Sequence, residues 1–453
     1  MEPFRYHVFV CDQKKAEGIP SCPARGAGAV IDALRKEVAA QGLVDEVQVT
    51  TCGSLGLCEH GPNMVVYPEG IWYCGVTAQD IPEIVRSHFR EGAVVERLAR
   101  TDTSGLRAEM LANRKKRDAT LRARAEAGVL PDDIMQTIRG FQESRVLLSA
   151  VELDAFTAVG SGARAAEAAA RMGTDPRATE MLLNALVAME LLAKRDGAYH
   201  NVPAGQRFLV ASSPDYARPA IMHSVNLWRR WSTLTDCVRA GTSVSYEEMH
   251  ARGEDWTETF IAAMDRNAAE RAPQVVRAVG VEGVRRMLDV GGGSAAYSIA
   301  FARAAADLEA EVLDLAPVCE IARKHITRAG LEGRVKARAG DLRTDPLGSG
   351  YDLILVSAIC HMLSPQENSD LLRRCREGLV PQGRLVIQDF ILEPDKTSPK
   401  SAALFALNML VGTRAGSSYS VDEYAEWLRS AGLQEIRQVR LPGPSGLMIA
   451  QRS

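Results

Sequence analysis

From about residue 280 to its end the chain alternates short apolar strands with helical stretches, and that rhythm admits few folds. Strand candidates fall at 286–290, 311–314, 335–338, 351–357 and 384–389, each separated from the next by enough chain for a helix. Parallel strands need such crossovers, so the pattern predicts an α/β domain built on a doubly wound sheet. Two further strands, 435–440 and 447–450, follow with only Pro442-Gly443-Pro444-Ser445-Gly446 between them, so the sheet should end in a hairpin.

The whole chain has 453 residues, too many for one core, and at about 150 residues per domain it should hold about three. Apolar residues make up 46% and charged residues 25%, which excludes wholesale disorder and fibrous repeats. A net charge of −3, from 54 basic and 57 acidic residues, supplies no field that would gather nucleic acid or an anionic membrane, and neither is expected as a partner. The start, Met1-Glu2-Pro3-Phe4-Arg5-Tyr6, lacks a basic-then-apolar export pattern, and nine cysteines are an odd number. Both points favour a cytoplasmic location over a secreted disulfide framework. No apolar run approaches the roughly 18 residues of a membrane span.

Residues 1–95 read as a compact α/β module. Strands are expected at 7–10 and 47–50, helices at 27–41 and 80–89, and a hairpin at 64–73 turns around Glu69-Gly70. Residues 96–132, with Arg114-Lys115-Lys116-Arg117, read as a charged and partly helical linker. Residues 133–275 are helical almost throughout. Within them a helix opens after Thr174-Asp175-Pro176, and a ribbon at 192–200 turns on Asp196-Gly197, which is the pattern of a winged helix. The second helix offers one basic residue, Arg177, to a groove, so packing or dimerisation is the better reading than DNA binding.

The chemistry concentrates in two places. Behind the first strand of the large sheet stands Asp289-Val290-Gly291-Gly292-Gly293-Ser294-Ala295, where glycines let a ligand approach the backbone at a helix start. Asp314 ends the next strand, where it can meet ribose hydroxyls, and Gly340-Asp341-Leu342 follows the third, where an adenine amino group can be bound. With the terminal hairpin, these features resemble a class I S-adenosylmethionine-dependent methyltransferase. The resemblance implies Asp289, Gly291, Gly293, Asp314, Asp341 and Leu342 at the nucleoside site. After the fourth strand comes Ile359-Cys360-His361-Met362-Leu363-Ser364. Winged helix, glycine-rich turn and this histidine, in this order, make residues 133–453 similar to the small-molecule O-methyltransferases of the caffeic-acid and hydroxyindole type. The resemblance implies His361 as general base, Asp389 as its acidic partner, a homodimer, and a small aromatic or planar substrate. A histidine can take a phenol's proton at neutral pH while a carboxylate holds its tautomer. The pocket the family builds would involve His223, Asn226, Trp228, Trp231, Phe260, Met264, Asn408 and Met409. Departures from the family pattern are the absence of a second acid near Ser417-Ser418-Tyr419, Leu363-Ser364-Pro365 after the histidine, and Ala295 as the last residue of the glycine-rich turn. They leave C-, S- and N-methylation open beside O-methylation.

The second place is the N-terminal module, where five cysteines crowd the first 75 residues. Cys11, Cys22, Cys52 and Cys58 come from two loops, a set that suits an iron–sulfur cluster. The module resembles the thioredoxin-like [2Fe-2S] ferredoxins, whose second pair reads Cys-x-x-x-Cys. That spacing would put the third ligand at Ser54, with Cys52 two residues earlier. Cys52 is the expected ligand, with Ser54 oxygen or a lost cluster as alternatives and a structural zinc as the competing metal. The whole is expected to be a methyltransferase with a module for redox gating or docking of a redox partner protein. Against it stand a nicotinamide-dependent redox enzyme fed by the cluster and a redox-sensing winged-helix regulator.

Overall fold

The computed structural model describes residues 3–15, 19–246 and 254–453, with side chains in the 254–270 stretch described at Ile261, Met264, Asp265 and Ala268. The chain divides into two compact units, 1–141 and 142–453.

In the first unit, β1 (Tyr6–Cys11), α1 (Ala27–Ala40) and β2 (Val47–Cys52) form a β-α-β step with the strands parallel. β3 (Asn63–Tyr67) runs antiparallel to β1, and β4 (Ile71–Cys74) returns beside it with Val66 opposite Ile71. A two-residue strand, β5 (Ala99–Arg100), completes the order β2-β1-β3-β4-β5. Alternation in β1 buries Tyr6, Val8 and Val10, and the apolar stripe of α1, at Val30, Ile31, Leu34 and Val38, closes over them. The stretch expected as a linker, 96–132, holds β5 and a 24-residue helix, α2 (Thr103–Glu126), started by Asp102 accepting from the Gly105 N–H. α2 buries only Leu106, so its sequence lacks an apolar stripe. It is held by polar contacts instead: Asn113 Nδ2 donates to Gly56 O at 3.0 Å, and Lys116 pairs with Glu59 at 2.7 Å.

The unit boundary falls within α3 (Asp132–Glu152). In the second unit α4 (Ala165–Met172) and α5 (Pro176–Ala188) are followed by the ribbon β6 (Leu192–Arg195) and β7 (Ala198–Asn201). Asp175 caps α5 through the Ala178 N–H at 2.8 Å, and Asp196 and Gly197 both take positive φ in the two-residue turn. Two longer helices, α6 (Arg218–Trp231) and α7 (Glu254–Val279), lead to the sheet. Its strands are β8 (Arg286–Val290), β9 (Glu309–Asp314), β10 (Val335–Ala339), β11 (Tyr351–Ser357), β12 (Leu379–Asp389), β13 (Leu433–Arg440) and β14 (Gly446–Arg452). The order β10-β9-β8-β11-β12-β14-β13 is parallel through β12, with β14 and β13 antiparallel. Against it pack α8 (Ala296–Ala304), α9 (Ala316–Ala329), α10 (Pro365–Gly378) and, after α11 (Lys400–Gly412), which lies against α6, the helix α12 (Val421–Ser430). β12 starts five residues before the expected 384, and the register with β11 shifts between Tyr351 and Leu353 to take up the extra chain. Among the described residues no helix is long and apolar enough to cross a membrane.

The turn from β8 into α8 is the tightest point of the sheet. Gly291 has φ +67°, and a Cβ there would lie 2.3 Å from Ile359 Cδ1. Gly291→Ala therefore combines a left-handed alanine with overpacking, together about 2–5 kcal/mol. A fall of roughly 5–15 °C in the thermal midpoint is expected by calorimetry.

Candidate functional site

β8 and β9 are central parallel strands, so their carboxyl ends open onto one edge of the sheet, where ligands of such folds bind. Asp289, the penultimate residue of β8, has no exposed surface. Ser298 Oγ, in the first turn of α8, donates to its Oδ2 at 2.8 Å, while its Oδ1 is buried without a hydrogen-bond partner among the described residues. At the end of β9, Asp314 Oδ2 accepts the Gly293 N–H at 2.9 Å and Oδ1 accepts its neighbour's, that of Leu315, at 2.8 Å. Gly292 is also crowded, since a Cβ would stand 2.7 Å from Asp289 Cγ. Ala295 holds φ +69° where glycine would sit without strain, and its methyl is buried. After β10, Asp341 Oδ1 accepts the Arg343 N–H at 2.8 Å, and Leu342 packs on the core beside Gly291. The six residues expected at a nucleoside site are thus gathered on one edge. The glycine cradle that a Cβ would fill and the orphaned Asp289 oxygen fit a bound nucleoside.

Beyond β11 a single 3-10 turn, Cys360–Met362, carries His361, and Asp389 ends β12. Ser357 lies opposite Gln388 in the β11–β12 register, so histidine and acid leave adjacent strand ends. His361 Nδ1 lies 2.6 Å from Asp389 Oδ1. Three further donors complete the carboxylate: the backbone N–H of His361 at 3.1 Å, that of Phe390 at 2.8 Å, and Tyr424 Oη at 3.2 Å. Burial, reinforced by Asp389, pushes the Tyr424 hydroxyl well above its ordinary range and keeps it a donor. The His361 ring stands edge-on to Phe405 at 4.8 Å between centroids, and Phe405 stacks on Phe390 at 3.8 Å. One turn along α11, Asn408 Oδ1 accepts from Trp231 Nε1 at 3.0 Å.

Of the expected pocket residues, Trp231 and Asn408 therefore meet, Met409 is buried in α11, and Met264 is half-buried in α7. Asn226 and Trp228 are half-buried on α6, where Arg145 lies over the Trp228 ring at 5.9 Å. Burial, with Arg230 nearby, lowers His223 to about 4, so it is neutral at physiological pH. Phe260 lies outside the described residues. Tyr424, Phe390 and Phe405 were missed by sequence reasoning. Their only signal is aromatic character on elements that return to the histidine, and that becomes visible once the fold is known.

In the first unit the Sγ atoms of Cys11, Cys22 and Cys58 lie within 4.8 Å of one another and all three residues are buried. Cys52 is not part of this trio. It is half-buried at the end of β2, held in the ladder opposite Cys11, and the Asp12 N–H binds its carbonyl at 3.1 Å. Ser54 Oγ instead lies 3.2 Å from Cys58 Sγ. The expected four-thiol set therefore converges at three positions.

The O-methyltransferase domain family matches residues 231–434, and the O-methyltransferase dimerisation domain family matches 135–211. The chain is 35% identical over 318 residues to 3-hydroxy-5-methyl-1-naphthoate 3-O-methyltransferase of Streptomyces sahachiroi, covering 68% of this chain and 92% of that one. It is 31% identical over 345 residues to acetylserotonin O-methyltransferase of Mus musculus, covering 70% and 88%. The solved structure of PigF with SAH, at 28% identity, superposes with a TM-score of 0.66 over 71% of this chain and 100% of that one. The chain belongs to the O-methyltransferase family. It is an S-adenosylmethionine-dependent methyltransferase carrying that family's dimerisation domain, which decides against the nicotinamide-dependent and regulator readings.

Burial raises Asp289 from 3.8 to about 7, opposed by Ser298 and reinforced by Asp314. The folded protein holds this proton more tightly than the unfolded chain does. Stability is therefore lost as pH rises from about 4 to about 7, by about 1.4 kcal/mol for each pH unit crossed. In the ligand-free protein Asp289→Asn should flatten that slope, read from urea midpoints between about pH 5 and 7.

Proposed function

We propose that this protein methylates a hydroxyl of a small aromatic metabolite, with His361 as general base and Asp389 as its positioning acid. The observation that carries the reading is the 2.6 Å contact between His361 Nδ1 and a fully buried Asp389 at the adjacent ends of β11 and β12. A carboxylate already satisfied by two backbone N–H groups and Tyr424 holds the imidazole with Nδ1 protonated. Nε2 is then the ring nitrogen free to take a proton from the acceptor. When bound, S-adenosylmethionine supplies an electrophilic sulfonium methyl. Asp314 would receive ribose hydroxyls, Asp289, Gly291 and Gly293 would line the cradle, and Asp341 with Leu342 would flank the base.

Phe405 and Phe390 stand beside His361, and Trp231 and Asn408 close the same face of α11, a setting suited to a planar ring. The named relatives act on a naphthoate and on acetylserotonin, which supports an aromatic acceptor and favours O-methylation. Orientation of acceptor hydroxyl and base would supply much of the rate. We divide the chain into a module at 1–95, a connecting segment at 96–132, a helical dimerisation domain at 133–275 and a catalytic domain at 276–453. The protein acts as a homodimer through the dimerisation domain at 133–275.

For the first unit we propose a thioredoxin-like ferredoxin module with a [2Fe-2S] centre. The β-α-β step followed by a hairpin supports it, as do three buried thiols drawn from two loops. Cys11, Cys22 and Cys58 would hold the centre, which would supply one-electron chemistry for redox gating or for docking a redox partner.

A panel of hydroxynaphthoates and hydroxyindoles incubated with methyl-labelled S-adenosylmethionine should yield a labelled methyl ether. With the best acceptor, His361→Ala should lower kcat about 10²–10⁴-fold while S-adenosylmethionine affinity by calorimetry stays within about twofold. Unchanged turnover would remove His361 from the mechanism. Asp389→Asn should also depress kcat, since the amide can present its N–H to the ring and favour the wrong tautomer.

A further inference from the structure

A [2Fe-2S] cluster takes four protein ligands; three converging thiols leave it one short, and the structure offers two neighbours for that place. Cys52 is the sulfur candidate. Its backbone belongs to β2, paired in register with Cys11, and Asp12 N–H binds its carbonyl. That thiol stays outside the group formed by Cys11, Cys22 and Cys58. Ser54 is the oxygen candidate. It lies past the end of β2, where Gln13 Oε1 accepts its backbone N–H at 2.8 Å, and its Oγ is 3.2 Å from Cys58 Sγ.

The loop that brings Ser54 and Cys58 together is built, not slack. Gly56 turns it at φ +86°, and α2 covers the turn so closely that a Cβ on Gly56 would lie 3.2 Å from Met110 Cγ. Asn113 binds the Gly56 carbonyl, Lys116 pairs with Glu59, and Glu109 meets His60 at 3.1 Å. Gly61 approaches Cys22 so nearly that a Cβ would stand 2.7 Å from its sulfur. Donors also surround the sulfurs, with Lys15 Nζ 3.1 Å from Cys58 Sγ and Asn63 Nδ2 3.6 Å from Cys22 Sγ. Hydrogen bonds to ligand sulfur are the usual outer support of an iron–sulfur site.

We propose that Ser54 Oγ, and not Cys52 Sγ, joins Cys11, Cys22 and Cys58 as the fourth ligand of the N-terminal iron–sulfur centre. The inference rests on the [2Fe-2S] reading of this module and specifies its donor set as three thiolates and one alkoxide, the serine proton passing to solvent on ligation. Alkoxide is a harder donor than thiolate and favours the ferric state. The centre should therefore have a lower reduction potential than the same site completed by cysteine.

The test uses the full-length chain, reconstituted anaerobically with ferrous iron and sulfide, alongside Cys52→Ser, Ser54→Ala and Ser54→Cys, each checked for folding by circular dichroism. Wild type and Cys52→Ser should bind iron and sulfide in equal amounts with the same visible spectrum and the same electron paramagnetic resonance signal on reduction. Ser54→Ala should lose most of its iron. Ser54→Cys should retain it with red-shifted absorption and a raised potential. Loss of the cluster in Cys52→Ser, with Ser54→Ala and Ser54→Cys indistinguishable from wild type, would make Cys52 the ligand and overturn the proposal while leaving the cluster reading intact. A wild-type protein that takes up zinc but neither iron nor sulfide would overturn the cluster reading itself, and the proposal with it.

Discussion

Asp389 is a carboxylate with no exposed surface, and the end of the sheet that carries His361 is organised around it. A buried charge of this kind is tolerable only when its oxygens are fully engaged. Here two backbone N–H groups, an imidazole and a phenol supply four donors. Those donors come from the turn after β11, the end of β12 and the helix α12, so satisfying one charge ties three elements together. The imidazole is then oriented as a by-product of stabilising the acid.

A similar economy governs the nucleoside edge. The turn after β8 must approach Ile359, Val312 and Asp289 closely, which leaves no space for a Cβ at Gly291 or Gly292. The last position of the turn keeps its left-handed conformation even as Ala295, because its methyl is buried in the core that α8 closes. Departure from glycine there alters strain without altering the path of the chain.

Much of this was legible in the residues. The strand–helix alternation after 280, the glycines behind 286–290, the Asp196-Gly197 turn and the Asp175-Pro176 helix start each carry a local physical signal, and each element formed where that signal lay. The stretch 96–132 was harder. α2 buries little beyond Leu106 and reaches the neighbouring loop largely through Asn113, Lys116 and Glu109, polar residues whose pattern is that of any solvated helix. Tyr424, Phe390 and Phe405 were invisible for another reason: nothing local distinguishes an aromatic that meets His361 or Asp389 dozens of residues away from one that fills a core.

The cysteines divide the two kinds of knowledge most clearly. By itself the sequence determined that cysteines are concentrated in the first module and that a glycine-rich turn follows the first strand of the large sheet, because composition and spacing are properties of the chain. Which thiols converge was decided by tertiary structure alone. Cys52 is nearer in sequence to Cys58 than Cys11 or Cys22 is, and the register of β1 and β2 sets it beside Cys11, yet its thiol lies outside the trio while Ser54 Oγ comes to 3.2 Å from Cys58 Sγ. Proximity along a chain says little once the fold has decided which loops face one another.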